Sequence, residues 1–123
     1  MNELSELYRR GHIKNALNKA QDLGQKFPTS YKIQNFLGII AAQSGNLALS
    51  ENAFRNTIAL RKDSAEGHNN LGNILRELGR LNEAEASYRK GITLKVKYAE
   101  AHHNLGITLK ELGRLEEAEA AYK

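Results

Sequence analysis

The stretch Ala65-Glu66-Gly67-His68-Asn69-Asn70-Leu71-Gly72 returns 34 residues later as Ala99-Glu100-Ala101-His102-His103-Asn104-Leu105-Gly106. The correspondence runs on through Leu78-Gly79-Arg80-Leu81 and Leu112-Gly113-Arg114-Leu115, with 17 identities over the 25 positions of residues 65–89 laid on 99–123. A fixed period of this length marks stacked supersecondary units, none of which can bury its apolar face alone. The same register runs back to Tyr31 and, with its first residues missing, to Met1. It predicts a single domain, 1–123, built from a partial repeat 1–30, whole repeats 31–64 and 65–98, and a truncated repeat 99–123.

Within a unit, position 15 is Gly11, Gly45, Gly79 and Gly113. Each ends an amphipathic segment, as a glycine at positive φ does just past a helix C-terminus. In the third unit Leu71, Ile74, Leu75 and Leu78 line one side of a first helix, and Leu81, Ala84, Tyr88 and Ile92 one side of a second. Small residues recur at position 8 (Gly38, Gly72, Gly106) and position 20 (Ala16, Ser50, Ala84, Ala118), where helices approach closely. Pro28 stops one helix and Ser30 can cap the next, a role open to Asp63 or Ser64 before Ala65. Helices are expected near 2–10, 13–26, 31–44, 47–61, 65–78, 81–95, 99–112 and 115–122. No segment sustains period-two alternation, so the fold class is all-α, a tandem helix-turn-helix array.

Composition narrows the function classes. The chain has 123 residues, 41% of them hydrophobic, and no cysteine, which excludes disulfides and thiolate metal sites. No apolar run approaches the roughly 20 residues of a membrane span, and Met1-Asn2-Glu3-Leu4-Ser5-Glu6 lacks a basic and then apolar leader pattern. A cytoplasmic location and no membrane partner are expected. The net charge of +4 divides into +5 over residues 1–62 and −1 over 63–123. These charges are scattered and form no Lys/Arg stripe, so no nucleic-acid partner is expected.

Leu-Gly at positions 7 and 8, Gly at 15, Ala at 20, an aromatic at 24 (Phe54, Tyr88, Tyr122) and Pro28 at position 32 together resemble the tetratricopeptide repeat. The resemblance covers the whole chain and implies an α-solenoid with a right-handed superhelix. Position 4, often tryptophan in that family, is Gln34, His68 and His102, and position 32 is Lys62 and Val96 in the later units. Ala-Glu-Xaa-His-Xaa-Asn-Leu-Gly is most similar to the repeats of O-linked N-acetylglucosamine transferases and related bacterial proteins. In those transferases, asparagines of the inner groove hold the backbone of an extended polypeptide. The matching position 6 holds Asn2, Phe36, Asn70 and Asn104. A carboxamide offers one acceptor and two donors and can pair with a peptide group whatever its side chain. The family's clamp for a C-terminal carboxylate needs Lys, Asn, Asn, Lys and Arg where this chain has Asn35, Ile39, Asn70, Glu100 and Asn104. Only Asn70 matches, so that clamp is not expected.

The carboxylate pairs Glu83/Glu85 and Glu117/Glu119 recur at one period in the first turns of second helices. Dipole placement and solvation explain them better than acid–base catalysis. His68 and His102 share a repeat position suited to packing between helices, and His103 points about 100° away from His102 on a helix, which does not suit chelation. No serine has a histidine at an activating spacing. The chain is expected to be no enzyme, with no cofactor and no metal. The variable first-helix positions are better candidates for function. They place a peptide-binding face on Asn35, Phe36 and Ile39, on Asn69, Asn70 and Asn73, and on His103, Asn104 and Ile107, with Phe36 and Ile39 as an apolar pocket.

A non-catalytic protein-interaction scaffold that binds an extended peptide or protein on its concave face is the function these features imply. Two alternatives stand beside it: a substrate-recruiting segment of a larger enzyme such as a glycosyltransferase, and a self-assembling structural module. Residues 121–123 stop within a second helix whose counterpart continues through Ile92 and Leu94. An array without a polar capping helix exposes an apolar end, so a longer parent protein or a homo-oligomer paired through repeat ends is also expected.

Overall fold

The computed structural model describes residues 12–114, and every regular element among them is an α-helix: α1 Ile13–Lys26, α2 Tyr31–Gln43, α3 Leu47–Leu60, α4 Ala65–Glu77, α5 Leu81–Leu94 and α6 Ala99–Glu111. The boundaries lie within one residue of those read from the repeat. Helices expected at 2–10 and 115–122 fall outside the described residues. The chain divides into two compact units, residues 1–62 and 63–123.

In the first unit α2 packs against both α1 and α3. Ala16 and Ala20 of α1 meet Leu37 and Ile40 of α2 and Ala53 of α3 in one apolar cluster. The Ser30 hydroxyl caps α2 by accepting the Ile33 N–H at 3.3 Å. At the other end of that helix Gly45 takes φ +85°, and Asn46 turns back to cap α3, accepting the Leu49 N–H at 3.2 Å. A Cβ on Gly38 would stand 2.5 Å from the Phe54 ring, so the ring lies directly on the α2 backbone. Ser50, in a place where other repeats carry alanine, is wholly buried. Its hydroxyl donates to the Gly38 carbonyl oxygen at 2.7 Å, which satisfies the polar group inside the pair.

The second unit repeats this chemistry with different partners. α4 packs on α5, α5 on α6, and α4 touches α6. Ser64, of the two residues able to cap α4, is the one that does, accepting the Gly67 N–H at 3.0 Å. Gly79 and Gly113 hold φ +78° and +80°. A Cβ on Gly72 would stand 2.6 Å from the Tyr88 ring, and the Tyr88 hydroxyl donates to Asn73 Oδ1 at 2.6 Å. Leu71, Ile74 and Leu75 are buried as their spacing requires, together with Leu105 and Leu109. Leu78 departs from that stripe: it stands at the C-cap of α4 and is 38% exposed. His68 packs its Cβ toward Gly91 of α5. His102 turns to the preceding loop, its Nε2 2.9 Å from the Val96 carbonyl oxygen.

Candidate functional site

The nine candidate residues fall on first helices, three each on α2, α4 and α6. In the first unit, Asn35, Phe36 and Ile39 are all half-buried. Phe36 leans on the apolar cluster formed by Leu37, Ile40 and the α1 alanines, so its ring serves the core as well as the face.

In the second unit the candidates separate by burial. Asn69 is wholly buried and Asn104 only 9% exposed. Asn104 Nδ2 donates to Asn69 Oδ1 at 3.2 Å, joining the first helices of successive repeats. Asn70 and Ile107 are half-buried and His103 is exposed. Asn73, also half-buried, uses its Oδ1 to accept the Tyr88 hydroxyl, which orients its Nδ2. Helical geometry explains the division, because adjacent residues lie about 100° apart and Asn69 and Asn70 cannot share an environment.

Tyr98 belongs to this neighbourhood and was not legible as a site residue. It precedes α6 at position 34, where the two earlier repeats have the capping serines Ser30 and Ser64, and it makes no side-chain cap. Its hydroxyl lies beside Asn69, and burial, then the Glu100 and Glu66 carboxylates, raise its pKa above the ordinary tyrosine value. The Lys95 ammonium sits 4.9 Å from the ring centroid. The signal that could have found it is the break in the serine series.

At the variable first-helix positions the first unit contributes one charge, Lys32 of α2, and the second unit contributes those of α4 and α6. Glu66, Glu77, Glu100 and Glu111 stand against Arg76 and Lys110 at the variable first-helix positions. The second helix is organised differently. Glu83 is half-exposed and pairs with Arg80 at 2.6 Å, as an N-terminal carboxylate should. Glu85 corrects the solvated reading: its side chain is 15% exposed and accepts both Arg89 at 2.9 Å and Arg114 at 2.6 Å. Burial works against its ionisation, but the two guanidiniums outweigh that and hold its carboxyl below the usual carboxylate range. Glu85 thus fastens α5 to the residues that follow α6. Glu117 and Glu119 lie outside the described residues.

These hairpins, each closed by a positive-φ glycine and a ring laid on a helical glycine, define an all-α protein of repeated helix pairs. Residues 72–113 match the family model of the TPR repeat, and the helix pairs have the fold of such repeats. No curated protein matches its sequence. Among solved structures, the chain is similar to crystalline MamA, with 20% identity and a TM-score of 0.93 over 99% of this chain and 71% of that one. It is similar to the first TPR of Spaghetti (RPAP3) bound to an HSP90 peptide, with 16% identity and a TM-score of 0.86 over 91% and 89% of the two chains. An O-GlcNAc transferase mutant of Thermobaculum terrenum shares 26% identity at a TM-score of 0.77, over 86% of this chain and 20% of the transferase. Among the described residues no helix is long and apolar enough to cross a membrane.

Proposed function

We propose that this chain is a non-catalytic protein-interaction module that takes an extended polypeptide on its first-helix faces. The observation that carries the reading is the sorting of α4 and α6. Positions 3, 7, 8, 10 and 11 are buried in both helices, whereas positions 5 and 6 exchange roles: Asn69 and Asn104 are enclosed as an amide pair, and Asn70, Asn73, His103 and Ile107 stay at least partly open around it. Rigid framing of a few exposed polar groups is what peptide recognition needs, because ordering them in advance lowers the cost of binding. The RPAP3 structure shows this fold with an HSP90 peptide bound. Here Glu100 occupies the place of a clamp lysine, and four carboxylates face two cations across α4 and α6. The ligand is therefore a neutral or basic internal segment rather than an acidic C-terminus. No nucleic acid and no membrane enter this reading, self-association through repeat ends remains compatible with it, and the location is cytoplasmic.

The test uses a peptide that the wild-type chain retains from a synthetic array. Asn70→Ala should raise its Kd about five- to ten-fold, with helicity unchanged by circular dichroism, and Glu100→Lys should weaken a basic peptide further. Unaltered affinity in both variants would sink the reading. A second reading, substrate recruitment for a larger glycosyltransferase, is favoured by the transferase similarity, in which this chain spans 20% of the other. Sequencing the parent gene on either side of these residues decides it.

A further inference from the structure

Between α1 and α3, over α2, lies an open groove of about 430 Å³ that none of Asn35, Phe36 and Ile39 lines. Among the described residues its polar side chains are five carboxamides: Gln21 and Gln25 from α1, Gln34 from α2, Asn52 and Asn56 from α3. Among the described residues no charged side chain lines it. Gln34 is only 5% exposed. Its Oε1 accepts from Asn56 Nδ2 at 3.2 Å, and its Nε2 faces the backbone of Gly24, 3.5 Å from where a Cβ would stand.

Gly24 opens this groove. It holds the repeat position occupied by Ile58 and Ile92 in the next two units. A glycine within a helix is less favourable than an alanine. Packing does not demand one here, since a Cβ would meet Leu37 Cδ2 at 3.4 Å, an ordinary contact distance. The missing side chain leaves a hollow against Leu37 in a groove whose volume falls within the range of binding pockets.

We propose that this groove is a second polypeptide-binding site, taking an extended segment of uncharged residues with one aliphatic side chain seated at Gly24. The five carboxamides supply donors and acceptors to the peptide groups of the segment, whatever its sequence. The hollow supplies the selectivity, filled by a partner's side chain where later repeats fill it with their own isoleucine. A charged residue pressed into the same place would lose hydration and gain no counter-ion.

The experiment screens the full chain against blocked peptides of Ser, Thr, Asn and Gln around a central Ile, with matched sets carrying central Gly, Lys or Asp. The central-Ile set should be retained about ten-fold or more tightly over the others. Titrating its tightest member into labelled protein should shift the side-chain amide signals of Gln21, Gln34, Asn52 and Asn56 and leave Asn70 unmoved. Gly24→Ile should keep a cooperative unfolding transition and lose about ten-fold in affinity. Gly24→Ala, which adds one methyl at contact distance, should lose less and serves if the larger variant misfolds. No preference for central Ile over central Gly, a footprint on the first-helix faces, or full affinity in both Gly24 variants overturns the proposal. Concentration-dependent shifts of the same amides without peptide would make a second copy the occupant and overturn it as well. Asn70→Ala should not affect this binding, so failure here is distinct from failure of the first-helix reading.

Discussion

The side-chain amide of Asn104 on α6 donates to Oδ1 of Asn69 on α4, 3.2 Å away and 35 residues back. Both residues are buried, so the carboxamide at position 6 of the last repeat is engaged in joining two helices. Asn104→Ala leaves Asn69 Oδ1 without that donor in a space water does not reach. The expected cost is about 1–3 kcal/mol. Asn70→Ala, on the more open side of α4, should cost about 0.5 kcal/mol or less. Urea unfolding midpoints of the two variants separate the structural amide from the candidate ligand-reading one.

Gly72 and Gly79 are both required, for unlike reasons. Gly72→Ala drives a Cβ to 2.6 Å from the Tyr88 ring, and overpacking of this kind costs about 1–3 kcal/mol. Gly79→Ala meets nothing within 4 Å but must hold φ +78°, costing about 1–2 kcal/mol through the backbone alone. Shrinking the ring distinguishes them. In a Tyr88→Leu background the Gly72→Ala penalty should fall, whereas the Gly79→Ala penalty should stay, as a double-mutant cycle would read.

Two titrations contribute to the pH dependence of stability. The carboxyl of Glu85 is depressed in the folded chain, so its contribution is complete above the unfolded value near 4.5 and disappears as pH falls through the lower folded value. Glu85→Gln should flatten the acid side of a stability profile below about pH 4.5. Burial pushes the Tyr88 hydroxyl from 10 up to about 12. The unfolded chain then loses this proton first, and stability should decline as pH rises from 10 towards 12. Tyr88→Phe should make that alkaline decline shallower, with Tyr98 responsible for part of what remains.

The Tyr88 hydroxyl has an acceptor in Asn73, and the equivalent positions in the preceding repeat are Phe54 and Ile39. In these two hairpins polar ring goes with polar partner and apolar with apolar, whereas the sequence of the fourth repeat sets Ile107 at position 9 with Tyr122 at position 24. Tyr88→Phe alone should cost about 1 kcal/mol, the worth of one such hydrogen bond. Adding Asn73→Ile should restore part of the loss, measured by the thermal midpoint, since the pair then matches that of the first unit.

Much of this architecture could be read from single positions, because a cap or a turn is decided by residues close together in sequence. Gly45, Gly79 and Gly113 turn at positive φ, Ser30 and Ser64 cap, and Gly38 and Gly72 carry rings, all as the 34-residue period required. The candidate site was less legible. Asn69 and Asn70 are equally polar neighbours, and only the approach of α6 decides which one is enclosed. The Glu85–Arg114 pair spans 29 residues and depends on how α5 and the end of α6 converge, which no periodicity encodes. Gly24 was visible as a break from isoleucine, but its meaning needed the hollow beside it.

In the hairpins closed at Gly45 and Gly79, the matched ring and partner at positions 24 and 9 bear on how the two could be exchanged. A crossover in the glycine turn would join the first helix of one repeat to the second helix of another, setting Ile39 beside Tyr88 or Asn73 beside Phe54. A crossover in the connection between repeats, at Ser30 or Ser64, would transfer each ring together with its partner. Exchange between these two hairpins that keeps ring and partner together is thereby directed to the junctions that flank them, and each moves as a single block.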